Sequence, residues 1–307
     1  MSDKLAIFPH GTTSTAVWDV EENRSAGVLE GSVFPIEYAV INDCGTVAAT
    51  FEQIVATVAA ADIEPDDVEV GLPLAVKIWS LDTMQSKADL TSTCTSAKLL
   101  KKHLIIAPWE GPVKVWDIGG SAPVALMDLP HTGVRAIDAT DESNMVLCSG
   151  DPYRICLWDL RSGQCARVLS EEPNNAYIAR PMTISMDSAS RKAVSGSWDR
   201  KINLWDLGSG RCIKTYQHGG VVRDVMMHET GGSFLSVGYS ATFKAWNTSS
   251  GSDQPLLEAN ISSLLGTPDI DDTFVRAAAS RDLSRVALCH PKDIDGLKEI
   301  GVSIWGP

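Results

Sequence analysis

The 307 residues, 44% of them hydrophobic and 21% charged, suffice to bury a sizeable core, and the composition has no mark of a disordered or fibrous chain. An excess of 39 acidic over 26 basic side chains sets a formal charge of −13 and a pI near 4.9, which repels polyanions at long range and argues against nucleic acid as the main partner. The opening MSDKLAIFPHG lacks the basic start and apolar core of a signal peptide, and no apolar run approaches the roughly 20 residues of a membrane span, so no membrane role is expected.

Seven cysteines, an odd number, lie mostly inside or at the ends of predicted strands (Cys148, Cys156, Cys165, Cys212, Cys289), as small buried thiols do. That usage points to a reducing compartment, cytoplasmic or nuclear, where the sequons at Asn23, Asn247 and Asn260 carry no meaning.

Taken in chain order, residues 4–9 and 15–20 alternate apolar and polar side chains as strands do, and a third strand is expected around Ala26 to Leu29. Strands follow near Ile36 to Ile41, Val47 to Phe51 and Leu74 to Leu81, then at SAKLL, HLIIAP and VKVWDI. VRAIDA, NMVLCSG, ICLWDL and CARVLS form a complete set of four, as do PMTISM, AVSGS, INLWDL and CIKTYQ. The C-terminal portion reads VRDVMMH, SFLSVG, FKAWNT, then FVRAAAS, RVALCH and VSIWGP. Seven of the nine tryptophans share one frame, an apolar residue then Trp, usually followed by Asp: Trp18, Trp79, Trp116, Trp158, Trp205, Trp246 and Trp305. From Trp79 to Trp246 they recur at steps of 37, 42, 47 and 41 residues.

A Trp-Asp ending with that period resembles the WD-repeat family of β-propellers, over essentially all of residues 1–307 as one domain. The resemblance implies an all-β fold: a seven-bladed β-propeller of four-stranded antiparallel blades, strand a inside and d outside, with the Trp on c. The first blade lacks a predicted strand a and the last a strand d, so incomplete first and last blades are expected. Three-stranded end blades, a mixed closing blade and a strand donated by a partner are the alternatives.

The family also implies a buried network of a His before strand a, a Ser or Thr on b, an Asp in the b to c turn and the Trp. His131, Ser149, Asp151 and Trp158 match it in blade 4, where the turn is one residue short. Ser195, Asp199 and Trp205 match it in blade 5, and His218, Ser236 and Trp246 in blade 6. A hydrolase triad is the competing reading of such residues. It requires an exposed nucleophile on a strained turn, whereas a Ser inside an alternating strand is held and buried. GSGRCI from Gly208 needs only a tight turn, and neither Cys289 with His290 nor Cys148 with Cys156 has metal-ligand spacing. No catalytic residue, metal or cofactor is therefore expected; an enzyme with a central-channel site is the alternative of another class.

Four connections exceed a tight turn: 54–72 and 291–300 between b and c, and 171–178 and 255–272 between d and a. Strands alternate in direction, so these two classes of connection emerge on one face, where partner recognition is expected. On that face Arg135, Arg180, Arg223 and Arg276 follow one another near the starts of four strands a, with Glu37 in blade 2. Guanidinium forks suit carboxylates and phosphates, so the row reads as a site for an acidic or phosphorylated segment of another protein; pairing of each Arg with acidic residues of its own loops, such as Asp224, Asp269, Asp271 and Asp272, is the alternative. The acidic insertion ADIEPDDVEV, residues 61–70, has the opposite sign and reads as a solvated loop, with recruitment of a basic partner as the alternative. Trp158, Asp159, Leu160 and Arg161 resemble the ending by which some WD-repeat proteins dock on the damage-specific DNA-binding adaptor of cullin ubiquitin ligases, although Asp151 stands one place early. The expectation is a non-catalytic scaffold or recognition subunit, monomeric within a hetero-complex; substrate receptor for a ubiquitin ligase is the alternative.

Overall fold

A computed structural model describes residues 5–53, 74–127, 132–169, 181–260 and 276–305, apart from some turn and linker positions within them. The predicted loops 54–72 and 171–178 and the acidic insertion lie outside these residues. The chain divides into two compact units, residues 1–134 and 135–307.

In the first unit, β1 (Leu5–His10), β2 (Ser14–Asp19) and β3 (Arg24–Glu30) form a three-stranded antiparallel sheet. β4 (Ile36–Ile41), β5 (Val47–Gln53), β6 (Leu74–Ser80) and β7 (Gln85–Ser92) form a four-stranded one. β8 (Ser96–Leu99), β9 (His103–Ala107), β10 (Val113–Asp117) and β11 (Pro123–Met127) form the next. Alternation sends one set of side chains between sheets: Val17 and Leu29 pack with Ala48 and Trp79, and Val76 and Ile78 with Leu104, Ile106 and Trp116.

β12 (Thr132–Ala139) crosses the boundary and begins the sheet completed by β13 (Met145–Asp151), β14 (Arg154–Asp159) and β15 (Gln164–Leu169). The second unit continues with β16 (Pro181–Met186), β17 (Lys192–Ser197), β18 (Lys201–Asp206) and β19 (Arg211–Gln217) in a further sheet. Then come β20 (Val222–Met227), β21 (Ser233–Gly238), β22 (Thr242–Asn247) and β23 (Leu257–Asn260). A three-stranded sheet of β24 (Arg276–Ala279), β25 (Val286–Ile294) and β26 (Leu297–Trp305) comes last. Between the sheets of β16–β19 and β20–β23 the core is aromatic. Tyr216 meets Phe234 and Trp246 edge-on at 5.2 and 5.1 Å, and Phe234 stacks on Trp246 at 5.9 Å.

Two predicted loops are corrected. Residues 255–272 contain β23, which pairs Thr242 with Asn260 and Ala245 with Leu257, because the segment supplies the outer strand that β22 needs. Residues 291–300 continue a hairpin, with Pro291 opposite Ile300 and Ile294 opposite Leu297, so β25 and β26 satisfy their backbone groups on each other. The first and last sheets each hold three strands among the described residues, as expected.

Candidate functional site

The recurring Trp has one structural address. In five sheets its strand carries a register shift at the Trp, where the outer strand inserts an extra residue; Trp18, Trp79, Trp116, Trp158 and Trp205 all sit at such a bulge. The polar residue after it holds the next turn. Asp159 Oδ1 accepts the Arg161 N–H at 2.7 Å, Asp206 Oδ1 the Ser209 N–H at 2.6 Å and hydroxyl at 2.7 Å, and Asn247 Oδ1 the Ser249 N–H at 2.7 Å. The two Ser209 groups hold the Asp206 carboxyl below the usual carboxylate range.

The indole N–H depends on the residue two places beyond the one facing the Trp on strand b. Thr50, Ser195 and Ser236 stand there and accept from Trp79, Trp205 and Trp246 at 2.9, 2.9 and 2.8 Å. Among the described residues two further indoles are buried; the position belongs there to Ile106 and Cys148, and Trp116 Nε1 and Trp158 Nε1 are buried without an acceptor. Ser149, expected in the network with Trp158, is one residue out of step. Its side chain takes the other face of β13 and donates to the Pro181 carbonyl at 3.5 Å. His131 lies outside the described residues and Asp151 is described only as strand backbone.

Asp199 also departs from the expected network. It is spent on its own exposed turn, accepting the Lys201 N–H at 3.0 Å and facing Lys201 Nζ at 3.6 Å, because the two-residue reach of a carboxylate favours the local amide. His218 is buried at 1% exposure over Gly238, where an added Cβ would come within 2.6 Å of its ring. Burial and then the Lys244 ammonium lower its pKa to about 4, against the pull of the backbone at Gly220 and Ser236.

Among the described residues the arginines of the row do not all share one register. Met186 N–H donates to Asp138 Oδ2 at 2.9 Å and Met227 N–H to Ser185 Oγ at 3.0 Å, so Asp138, Ser185 and Met226 are equivalent places. Three residues back lie Arg135, Met182 and Arg223. Arg223 is the extra residue of a bulge, as are Met182 and Glu37 in their strands. Arg180 lies outside the described residues, two places earlier than the matching position. Arg276 faces Cys289 in the register that puts Asp224 opposite Val237, which places it in step with Asp224 rather than Arg223. The four arginines are equivalent by dipeptide, but strand bulges decide which of them share a height.

The sequence reading missed a polar ladder joining the inner strands β12, β16 and β20. Besides the bonds above, Ser185 Oγ donates to Asp138 Oδ2 at 3.3 Å, and Thr183 Oγ1 donates to Asp224 Oδ1 at 3.0 Å while accepting the Val225 N–H at 3.2 Å. The available signal was polar residues at alternating places in otherwise apolar strands. Burial raises the Asp224 pKa to about 6, partly offset by the Thr183 hydroxyl, the Val225 amide and Arg223. Trp158 is buried, whereas Arg161 is exposed in the turn held by Asp159. Among the described residues no group of His, Cys, Asp and Glu has metal-binding geometry, and no helix is long and apolar enough to cross a membrane.

Comparison with known families and proteins agrees with this framework. The family described as "WD domain, G-beta repeat" matches residues 164–206, from the outer strand β15 to the end of β18. U3 small nucleolar RNA-associated protein 15 homolog of Gallus gallus is 24% identical over 150 residues, covering 49% of this chain and 28% of that protein. Its namesake in Xenopus laevis is 25% identical over 157 residues, 51% of this chain and 30% of that protein. Periodic tryptophan protein 2 of Arabidopsis thaliana is 24% identical over 188 residues, 57% of this chain and 20% of that protein. The chain thus spans less than a third of the length of these relatives. The Trp-bearing antiparallel sheets are of the kind that form propeller blades, and one stretch of them, residues 164–206, matches the WD repeat.

Proposed function

We propose that this chain is a non-catalytic, protein-binding scaffold or recognition subunit of a multiprotein complex. The observation that carries the reading is where its reactive side chains go. Ser195 and Ser236 accept indole N–H groups, Asp159, Asp199 and Asp206 hold turns, and Thr183, Ser185, Asp138 and Asp224 tie strands together. Such a framework fixes the turn side chains in space and lowers the ordering cost of association. The names of the relatives support an RNA-associated assembly in the nucleus, and the charge of −13 favours entry through protein partners rather than through the RNA. Arg135 and Arg223, equivalent in register, suit an acidic or phosphorylated segment of such a partner.

Affinity purification of the tagged full-length chain, with and without ribonuclease, tests this reading. A defined set of proteins that stays bound after RNA digestion is the expected result. Capture of no stable partner, or loss of every partner with the RNA, would overturn it. Docking to a cullin adaptor is the second reading, favoured by the exposure of Arg161 on a turn fixed by Asp159. In the same purification it requires the adaptor among the captured proteins and its loss in Arg161→Ala.

A further inference from the structure

The connection from β22 to β23 is longer than its counterparts. In the sheets of β4–β7, β12–β15 and β16–β19 the third and fourth strands are joined by residues 81–84, 160–163 and 207–210, whereas here residues 248–256 intervene. The longer connection is nevertheless held at nearly every step. Asn247 Oδ1 accepts the Ser249 and Ser250 N–H groups at 2.7 and 3.1 Å, Ser250 Oγ the Ser252 N–H at 3.0 Å, and Ser252 Oγ the Gln254 N–H at 3.0 Å. From the neighbouring strand β19, Lys214 Nζ donates to the Ser250 and Ser252 carbonyls at 3.0 and 2.6 Å. Leu256 N–H closes the segment on the Ala245 carbonyl at 2.7 Å.

This fixed turn ends on two consecutive leucines open to solvent, Leu256 at 67% and Leu257 at 54% exposure. A single exposed leucine is ordinary, but two in succession at the end of an enlarged and anchored turn present apolar surface that the sheet itself does not use. The charge beside them is negative. Asp253 faces Lys214 at 3.2 Å and Glu258 faces Lys244 at 3.1 Å, yet the lysine side chains are only 18% and 10% exposed and the carboxylates 74% and 54%. Lys214 is further engaged by its two carbonyls and by the Tyr216 ring at 4.7 Å. Solvent therefore meets leucine side chains and carboxylate oxygens, while both ammonium groups are largely covered.

We propose that Leu256 and Leu257, with Asp253 and Glu258, form a docking point for a short basic segment of a partner protein. An apolar side chain of that segment lies on the leucines, and its lysines or arginines meet the exposed carboxylate oxygens. The net charge of −13 draws such a segment in and repels an acidic one or a nucleic acid. Because the turn is already formed, it presents the leucines at little ordering cost. The site lies at the end of its sheet where Asn247 faces Ser233, away from the end where Val222 faces Gly238 beside Arg223. The proposal rests on the scaffold reading and adds a second surface, of opposite preference to the arginines.

The test uses the full-length chain and a fluorescein-labelled peptide, Lys-Arg-Leu-Lys-Ile-Arg-Lys, read by anisotropy, with the same peptide carrying serine at both apolar places as comparator. Salt-sensitive binding is expected, weaker for the serine peptide and weakened at least about tenfold by the double variant Leu256→Ala, Leu257→Ala. Asp253→Asn should weaken it several-fold, and leaves Lys214 its two carbonyl acceptors. Leu126→Ala, at an equally exposed leucine on β11, should bind as the wild type does, and all variants should melt with it. Failure of the wild type to bind, equal binding by the double variant, or an equal loss in Leu126→Ala would each overturn the proposal. So would a wild-type dimer in sedimentation that the double variant abolishes, since the leucines would then belong to a second copy. In the purification experiment, an unchanged partner set in the double variant removes this site and leaves the scaffold reading standing. An empty wild-type purification removes the scaffold reading itself.

Discussion

Ser195 and Cys148 occupy the same place in neighbouring sheets, and the difference between them is a hydrogen bond. Trp205 is fully buried and donates to Ser195 Oγ, whereas the Trp158 N–H finds only the space beside a thiol. Removing one partner of a buried bond costs the desolvation of the other, about 1–3 kcal/mol, while making such a bond gains about 0.5–1.5 kcal/mol. Ser195→Ala is therefore expected to lower unfolding free energy by about 1–3 kcal/mol. Cys148→Ser should raise it by about 1 kcal/mol, both read from urea midpoints at constant slope. A destabilised Cys148→Ser protein would mean that the Trp158 indole is not placed to use the hydroxyl. Cys148 itself is inert: burial raises its thiol far above the usual range, and burial with neighbouring Cys165 raises Cys156 to about 12.

Among the elements, strand β17 shows how a sheet meets its neighbour. Gly196 lies against β20 and its partner strand β16, so a methyl group would sit 2.4 Å from Val222 Cγ1 and 2.9 Å from Thr183 Cγ2. Gly196→Ala is thus expected to force a shift of β20 and cost about 1–3 kcal/mol as overpacking, with a lowered thermal midpoint as the readout. Gly251, with nothing within 4 Å of a Cβ, is the matched control and should tolerate alanine. Strands were the most legible elements in the sequence, since alternation and the Trp-Asp ending mark them directly. The outer strand β23 was not, because LEAN is short, exposed and lacks alternation, and only the open edge of β22 calls it into the sheet. The hairpin of β25 and β26 was missed because polar residues 291–300 read as a loop when their pairing partner is ignored.

At the scale of the whole molecule, a half-buried carboxyl and a buried imidazole give opposite pH responses. Asp224 has a folded pKa of about 6, above its ordinary 3.8, so its contribution is full below pH 4 and is lost as pH rises through 6. His218, lowered to about 4 from 6.5, contributes above pH 6.5 and loses that contribution as pH falls through 4. Asp224→Asn keeps the acceptor oxygen for Thr183 and Val225, and is expected to stabilise the protein by about 1–2 kcal/mol at pH 7 with no gain at pH 4. His218→Gln should flatten the acid limb of the stability curve between pH 6.5 and 4. Denaturation of the wild type and both variants across pH 4–8 checks the signs; a stabilisation by Asp224→Asn that persists at pH 4 would rule out titration as its cause.

The sequence by itself determined the repeated all-β architecture, the place of Trp18, Trp79, Trp116, Trp158, Trp205 and Trp246 on the strand before the outermost one, and the three-stranded first and last sheets among the described residues, because these follow from local alternation and a period that each sheet carries within its own residues. Only the tertiary structure decided which polar residues act together. Whether Arg276 matches Arg223, whether Ser149 or Cys148 faces Trp158, and how Asp138, Thr183, Ser185 and Asp224 find one another all depend on strand register and on single-residue bulges. A shift of one residue turns a side chain to the opposite face of its sheet, and that choice is made by packing between strands far apart in the chain.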